Sequence, residues 1–95
     1  MEATLLFEDR IELAETSFVE VVIWQVPEPV PGSMHHFRYR LAYVEADICV
    51  VRFDNERGKG DHFHFGDTEQ PYVFKDRRTL ENDFWAAIEK WRQQR

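Results

Sequence analysis

The 95-residue sequence predicts an α+β domain, a strongly bent antiparallel sheet of about five to six strands with a C-terminal amphipathic helix packed on one face. Three observations carry that expectation. Residues 35–44, HHFRYRLAYV, alternate, with Phe37, Tyr39, Leu41 and Tyr43 on one side of a strand and Arg38 and Arg40 on the other. Residues 17–26, SFVEVVIWQV, are dense in the β-branched and aromatic residues that strands favour. Leu80, Phe84, Ala87, Ile88 and Trp91 recur at the i, i+4, i+7, i+8, i+11 spacing of a single helix face.

Taken in chain order, residues 3–7 and 10–14 predict a short opening hairpin or one strand broken at EDR. The 17–26 run is apolar on both faces, as a central strand covered on both sides would be. PEPVPGS (27–33) ends it, because prolines at every second position remove backbone donors and favour an extended loop. The 35–44 strand follows, then a turn at EAD and the strand ICVVRF, residues 48–53. Asn55, Gly58 and Gly60 all tolerate positive φ and predict a hairpin turn before two short strands, HFHF (62–65) and PYVF (71–74). For the helix, Asp76 or Thr79 is the expected cap, Glu81 and Asp83 suit its positive end, and Arg92 and Arg95 its negative end.

Residues 1–95 are expected to form a single domain, since a chain this short supports one core. Fourteen aromatics (eight Phe, three Tyr, three Trp) let that core be dense, and the recurrent apolar runs exclude a disordered chain. No apolar run reaches the roughly 18 residues of a membrane span, and the acidic start MEATLLFEDR lacks a signal-peptide pattern. The single Cys49 reads as a small buried hydrophobe in a reducing compartment, so the expected location is cytoplasmic. The net charge of −6 is confined to one end. Residues 1–28 hold seven acids against Arg10, whereas residues 29–95 balance eleven acids with eleven bases and contain all four histidines. The acidic total therefore does not argue against nucleic-acid binding by the larger part of the chain.

Side chains alternate across a strand, so placing Phe37, Tyr39, Leu41, Tyr43, Phe63 and Phe65 inside sends Arg38, Arg40, His62 and His64 outside. Cys49, Val51 and Phe53 are expected inside as well, which leaves Arg52 outside with Ile48 and Val50. Arg38, Arg40, Arg52, His62 and His64 then share one cationic sheet face, with Arg57 and Lys59 on the loop at its rim. Metal-free cleavage of an RNA phosphodiester needs a base, an acid and cations at the phosphate. Imidazole supplies the first two near neutral pH, and arginine and lysine the third. His62 and His64 are thus the catalytic candidates, with Arg57 and Lys59 at the phosphate and Asp61, or Asp54, orienting an imidazole. Arg52, Arg38 and Arg40 are the substrate-binding candidates. His62-x-His64 also puts two metal ligands on one side, with His35 or His36 as a third, but two histidines do not define a site. No metal and no cofactor is assigned, and RGKG lacks the spacing of a phosphate-binding Walker loop.

VVIWQVPEPVPGSMHHFRYRLAYV, then VVRFDNERGKGDHFHFG, and a tail of PYVF and LENDFWAAIEKW together resemble the TumE-family toxins of bacterial type II toxin–antitoxin systems, over roughly residues 5–92. The resemblance implies a cytoplasmic toxin encoded beside a helix-turn-helix antitoxin that binds and neutralises it. RNA or the ribosome is then the expected target, through ribonuclease-type inhibition of translation, and the antitoxin is expected over the His62 face or the loop. No membrane partner is expected, and a homodimer is left open. Two other classes stay beside this one: a non-catalytic protein-interaction module, and a small metal-dependent enzyme using the His62/His64 pair.

Overall fold

The structure is a computed structural model and describes residues 2–94. Six strands run as an antiparallel meander, each paired with its sequence neighbour: β1 (Thr4–Ala14), β2 (Ser17–Gln25), β3 (Phe37–Glu45), β4 (Ile48–Glu56), β5 (Gly60–Phe65) and β6 (Thr68–Pro71). Helix α1 (Arg77–Gln93) follows. Val19, Val21 and Ile23 of β2, Tyr39 and Leu41 of β3, and Val51 and Phe53 of β4 bury one sheet face. Leu80, Phe84, Ala87 and Ile88 of α1 close the same core. The expected α+β architecture is the observed one.

Several elements differ in detail. The opening segment is one strand, irregular between Leu5 and Phe7, in place of a hairpin or a break at EDR. On β2 only the helix side is fully buried, and the alternate residues Phe18, Glu20, Val22 and Trp24 are half-buried on a face the helix leaves open. The sheet has a single helical layer, so the apolar run is not covered on both sides. The PYVF strand is displaced: β6 ends at Pro71, which has no N–H to extend the ladder. Beyond it Tyr72 bonds its N–H to the Asp61 carbonyl, and the Phe74 ring stacks on His35 with centroids 3.8 Å apart.

Cys49 is exposed, contrary to the buried reading. The β3–β4 ladder skips a residue after Tyr43↔Val51, pairing Val44 with Cys49, and the extra residue Val50 packs toward the core. That bulge reverses the alternation, so Cys49 and not Val50 joins the open face. Asn55 is likewise no turn residue. It is buried on β4, where its side-chain oxygen accepts from Tyr39 N–H (2.9 Å) and its amide donates to Phe37 O (2.8 Å). The backbone ladder between β3 and β4 starts only at Arg40↔Asp54, so this amide supplies the bonds that the ladder lacks there.

The helix begins at Arg77, earlier than its apolar stripe, so Glu81 and Asp83 fall beyond the first turn. Glu81 pairs with Arg77 (3.4 Å) and Asp83 accepts from Tyr72 OH (2.5 Å). Lys90 and Arg92 sit in the last turn, and Arg95 lies outside the described residues. Asp76 is the cap, with Oδ1 accepting from Thr79 N–H at 2.7 Å. That bond holds the Asp76 carboxyl below its ordinary value. The cap therefore stabilises fully above the usual carboxylate range and is lost as pH falls through the depressed value. Asp76→Ala should lower the thermal midpoint and Asp76→Ser should restore most of it. Identical melting of all three proteins would count against the cap.

Candidate functional site

The hairpin joining β4 and β5 fixes the site. Glu56 pairs with Gly60 across it, which sets Asp54 opposite His62 and Arg52 opposite His64. Arg40 lies beside Asp54 on β3, and Glu69 beside His64 on β6. Since residues two apart on a strand share a face, Arg38, Arg40, Arg52, Asp54, His62, His64 and Glu69 all occupy the side that α1 does not cover. Arg38 and Arg40 are exposed.

Polar contacts run through this group. Arg52 Nε is 3.2 Å from Asp54 Oδ2, and Arg52 Nη2 lies 2.9 Å from His64 Nε2. His64 Nε2 is also 3.2 Å from Glu69 Oε2. His62 is 5% exposed and its ring lies 5.1 Å from that of His64. His62 Nδ1 is 3.1 Å from the Gly60 carbonyl, while Nε2 stands 3.2 Å from Asp54 Oδ1. That last pair is close but not aligned for a hydrogen bond, so both atoms are buried without a hydrogen-bond partner. Burial first, and the Arg52 guanidinium second, push the His64 imidazole below its ordinary value. At neutral pH the ring is then uncharged and one of its nitrogens keeps a lone pair.

Asp61 lies elsewhere. Its strand neighbours His62 and His64 face one way, and Asp61 faces the helix side, so it orients neither of them. It accepts from Ser33 Oγ (2.6 Å), Tyr39 OH (2.6 Å) and His35 Nε2 (2.7 Å), tying the proline-rich loop to β3 and β5. Burial, followed by the Asp61 hydrogen bond, pushes the Tyr39 phenol up, so it remains a donor. The imidazole Asp61 holds is that of His35, which drops His35 from the pool of ligands for the His62/His64 side.

The rim loop splits. Arg57 lines a cleft of about 560 Å³ with Arg38, Asn55 and the Pro29–Pro31 segment. Lys59 lies 3.8 Å from Glu56 and borders a smaller recess with His62, Glu69 and Pro71. The loop itself is clamped, with Gly58 N–H donating to Pro31 O at 2.6 Å. Sequence reasoning ranked Asp54 behind Asp61 and passed over Glu69. The usable signal was the hairpin centre: once Gly58 is its midpoint, pairing Asp54 with His62 follows directly.

Chemically, the open face offers two guanidinium groups to solvent beside a partly exposed imidazole and a buried Asp–His pair. Comparison with curated proteins and with solved structures gives no match. The family model described as Toxin TumE matches residues 2–92, which takes in every strand and nearly all of the helix. The chain belongs to the TumE toxin family.

Proposed function

We propose that this toxin is one half of a type II toxin–antitoxin pair and acts on RNA through the open sheet face, as a ribonuclease-type inhibitor of translation. The observation behind the reading is the pair of exposed arginines, Arg38 and Arg40, next to Arg52 and His64 on the face free of the helix. Arginine binds phosphate oxygens through two parallel N–H bonds, and a partly exposed neutral imidazole beside it is placed to take or give a proton. His62, which is 5% exposed and packs its ring against that of His64 at 5.1 Å, backs the partly exposed imidazole. Arg57 and Lys59 extend the phosphate-binding surface from the rim. An RNA strand crossing the face would also meet half-buried Trp24, whose partner across the ladder is Arg38. The antitoxin, of helix-turn-helix type, covers this face or the adjoining loop when it neutralises the toxin.

Induction of the wild-type chain should arrest growth and cleave cellular RNA, with rescue by the antitoxin gene. His64→Ala should slow RNA cleavage by about 100-fold or more, the usual weight of a proton-transfer group. Arg38→Ala/Arg40→Ala should weaken RNA binding and flatten its salt dependence, by roughly 0.7 in log–log slope for each phosphate no longer neutralised. Variants that fold normally yet arrest growth as strongly as the wild type, with RNA intact, would sink this reading.

A further inference from the structure

His62 is held in a chemically incomplete setting. A carbonyl oxygen only accepts, so the 3.1 Å approach of Nδ1 to Gly60 O places the ring proton on Nδ1. Nε2 is then left with a lone pair, and it faces Asp54 Oδ1, also an acceptor, at 3.2 Å. Two unpaired acceptor atoms 3.2 Å apart in a buried pocket, each turned off the line between them, leave a place for a cation bonded to both. A backbone carbonyl holding the far nitrogen of an imidazole is also the usual way a metal-ligating histidine is fixed in tautomer and orientation.

A third donor completes the set: one ligand atom each from Asp54, His62 and His64 lies within 4.8 Å of the others. Ligands at zinc-type bond lengths of about 2.0–2.2 Å stand roughly 3.4 Å apart in a tetrahedron, so closure requires side-chain adjustments of about an ångström. We propose that Asp54, His62 and His64 form a three-ligand site for a divalent transition-metal ion of the zinc type. Two imidazole nitrogens and one carboxylate oxygen suit such ions, in preference to magnesium or calcium, which favour oxygen-only sets. Glu69, whose Oε2 is 3.2 Å from His64 Nε2, adds negative charge at the rim. Three protein ligands would leave a coordination position for water or a phosphate oxygen. The Arg52 guanidinium now sits on His64 Nε2, as a cation held where the ion's charge would be. Its side chain is part-exposed and also pairs with Asp54 Oδ2 at 3.2 Å, so ion entry would require it to turn outward.

Ligand geometry alone defines this site, without reference to RNA, and its test uses none. Protein without a polyhistidine tag is stripped with a chelator and dialysed. It is then titrated with Zn²⁺ by calorimetry, and its metal content is read after gel filtration. One ion per chain is expected, together with the visible absorption of a low-symmetry site when Co²⁺ replaces Zn²⁺. His64→Ala and the isosteric Asp54→Asn, both checked for fold by dichroism, should weaken binding by about 10-fold or more. Cys49→Ser and His36→Ala, which leave the three ligands in place, should bind as wild type. Arg52→Met should bind at least as tightly, being without the competing cation. Failure of the wild type to take up a stoichiometric ion overturns the site, as does undiminished binding by folded His64→Ala and Asp54→Asn. Loss of binding in Cys49→Ser, His36→Ala or Arg52→Met overturns this ligand set. An ion on His64 Nε2 and proton transfer by that nitrogen are alternatives, so metal uptake without RNA cleavage would leave this site standing and remove the proposed activity, and the converse result would do the opposite.

Discussion

Asp61→Ala is expected to destabilise the chain by about 3–5 kcal/mol, because it strips the acceptor from a cluster of part-buried donors, at about 1–3 kcal/mol for each one left unpaired. The carboxylate side chain is only 8% exposed and accepts from three groups at once. Without it, the Tyr39 hydroxyl and the His35 Nε2–H lose their acceptor inside the fold, each at a cost of about 1–3 kcal/mol. His35 is held by more than this bond, since it stacks on Phe74 and its Nδ1 accepts from Phe37 N–H. The ring would remain packed with one nitrogen unpaired, which is worse than losing the whole group. Asp61→Asn keeps an acceptor oxygen and should cost less, about 1–2 kcal/mol. Urea denaturation checks both. A catalytic Asp61 would abolish toxicity with the unfolding midpoint unchanged, whereas a structural one loses toxicity only in step with stability. An unchanged midpoint for Asp61→Ala would therefore make this residue a catalytic candidate again.

Gly60→Ala should cost about 3 kcal/mol or more, and Gly58→Ala only about 1 kcal/mol, although the two stand two residues apart in one turn. Both have positive φ, at 77° and 84°, where a side chain costs roughly 1–2 kcal/mol. They differ in surroundings. A Cβ on Gly60 would lie 2.6 Å from the Gly32 carbonyl oxygen, whereas one on Gly58 would meet nothing within 4 Å. The obstacle at Gly60 is backbone, and it is reciprocal, because a Cβ on Gly32 would meet Gly60 N at 2.6 Å. Relief requires the proline-rich loop to lift from the hairpin, breaking the Gly58–Pro31 bond and loosening the Asp61 cluster beneath. Overpacking of this kind adds about 1–3 kcal/mol. Denaturant unfolding of the two variants, side by side, decides the point; equal costs would mean that the loops do not press on each other.

The fold was largely legible because its signals are local. Alternation in 37–44 placed Tyr39 and Leu41 inside and Arg38 and Arg40 outside, and the 3.6-residue period of Leu80, Phe84 and Ile88 placed the helix face. The errors came where one residue breaks the count. The extra residue at Val50 turned Cys49 outward, and Pro71 ended a strand where apolar residues continue. Asn55 had turn chemistry but a strand position, since the hairpin closes one residue later, at Glu56.

The sequence by itself determined which face most strand residues take, where the helix lies, and the family to which the chain belongs. Those properties follow from backbone periodicity and from a pattern spread along the chain. Which polar groups meet was decided only by tertiary structure. Two aspartates, Asp54 and Asp61, flank the same hairpin and have the same chemistry. Strand pairing set one against His62, whereas packing of the distant Gly32 on Gly60 brought Ser33 and His35 down onto the other. Contacts between segments nearly thirty positions apart depend on how closely two backbones can approach, and no local period encodes that distance.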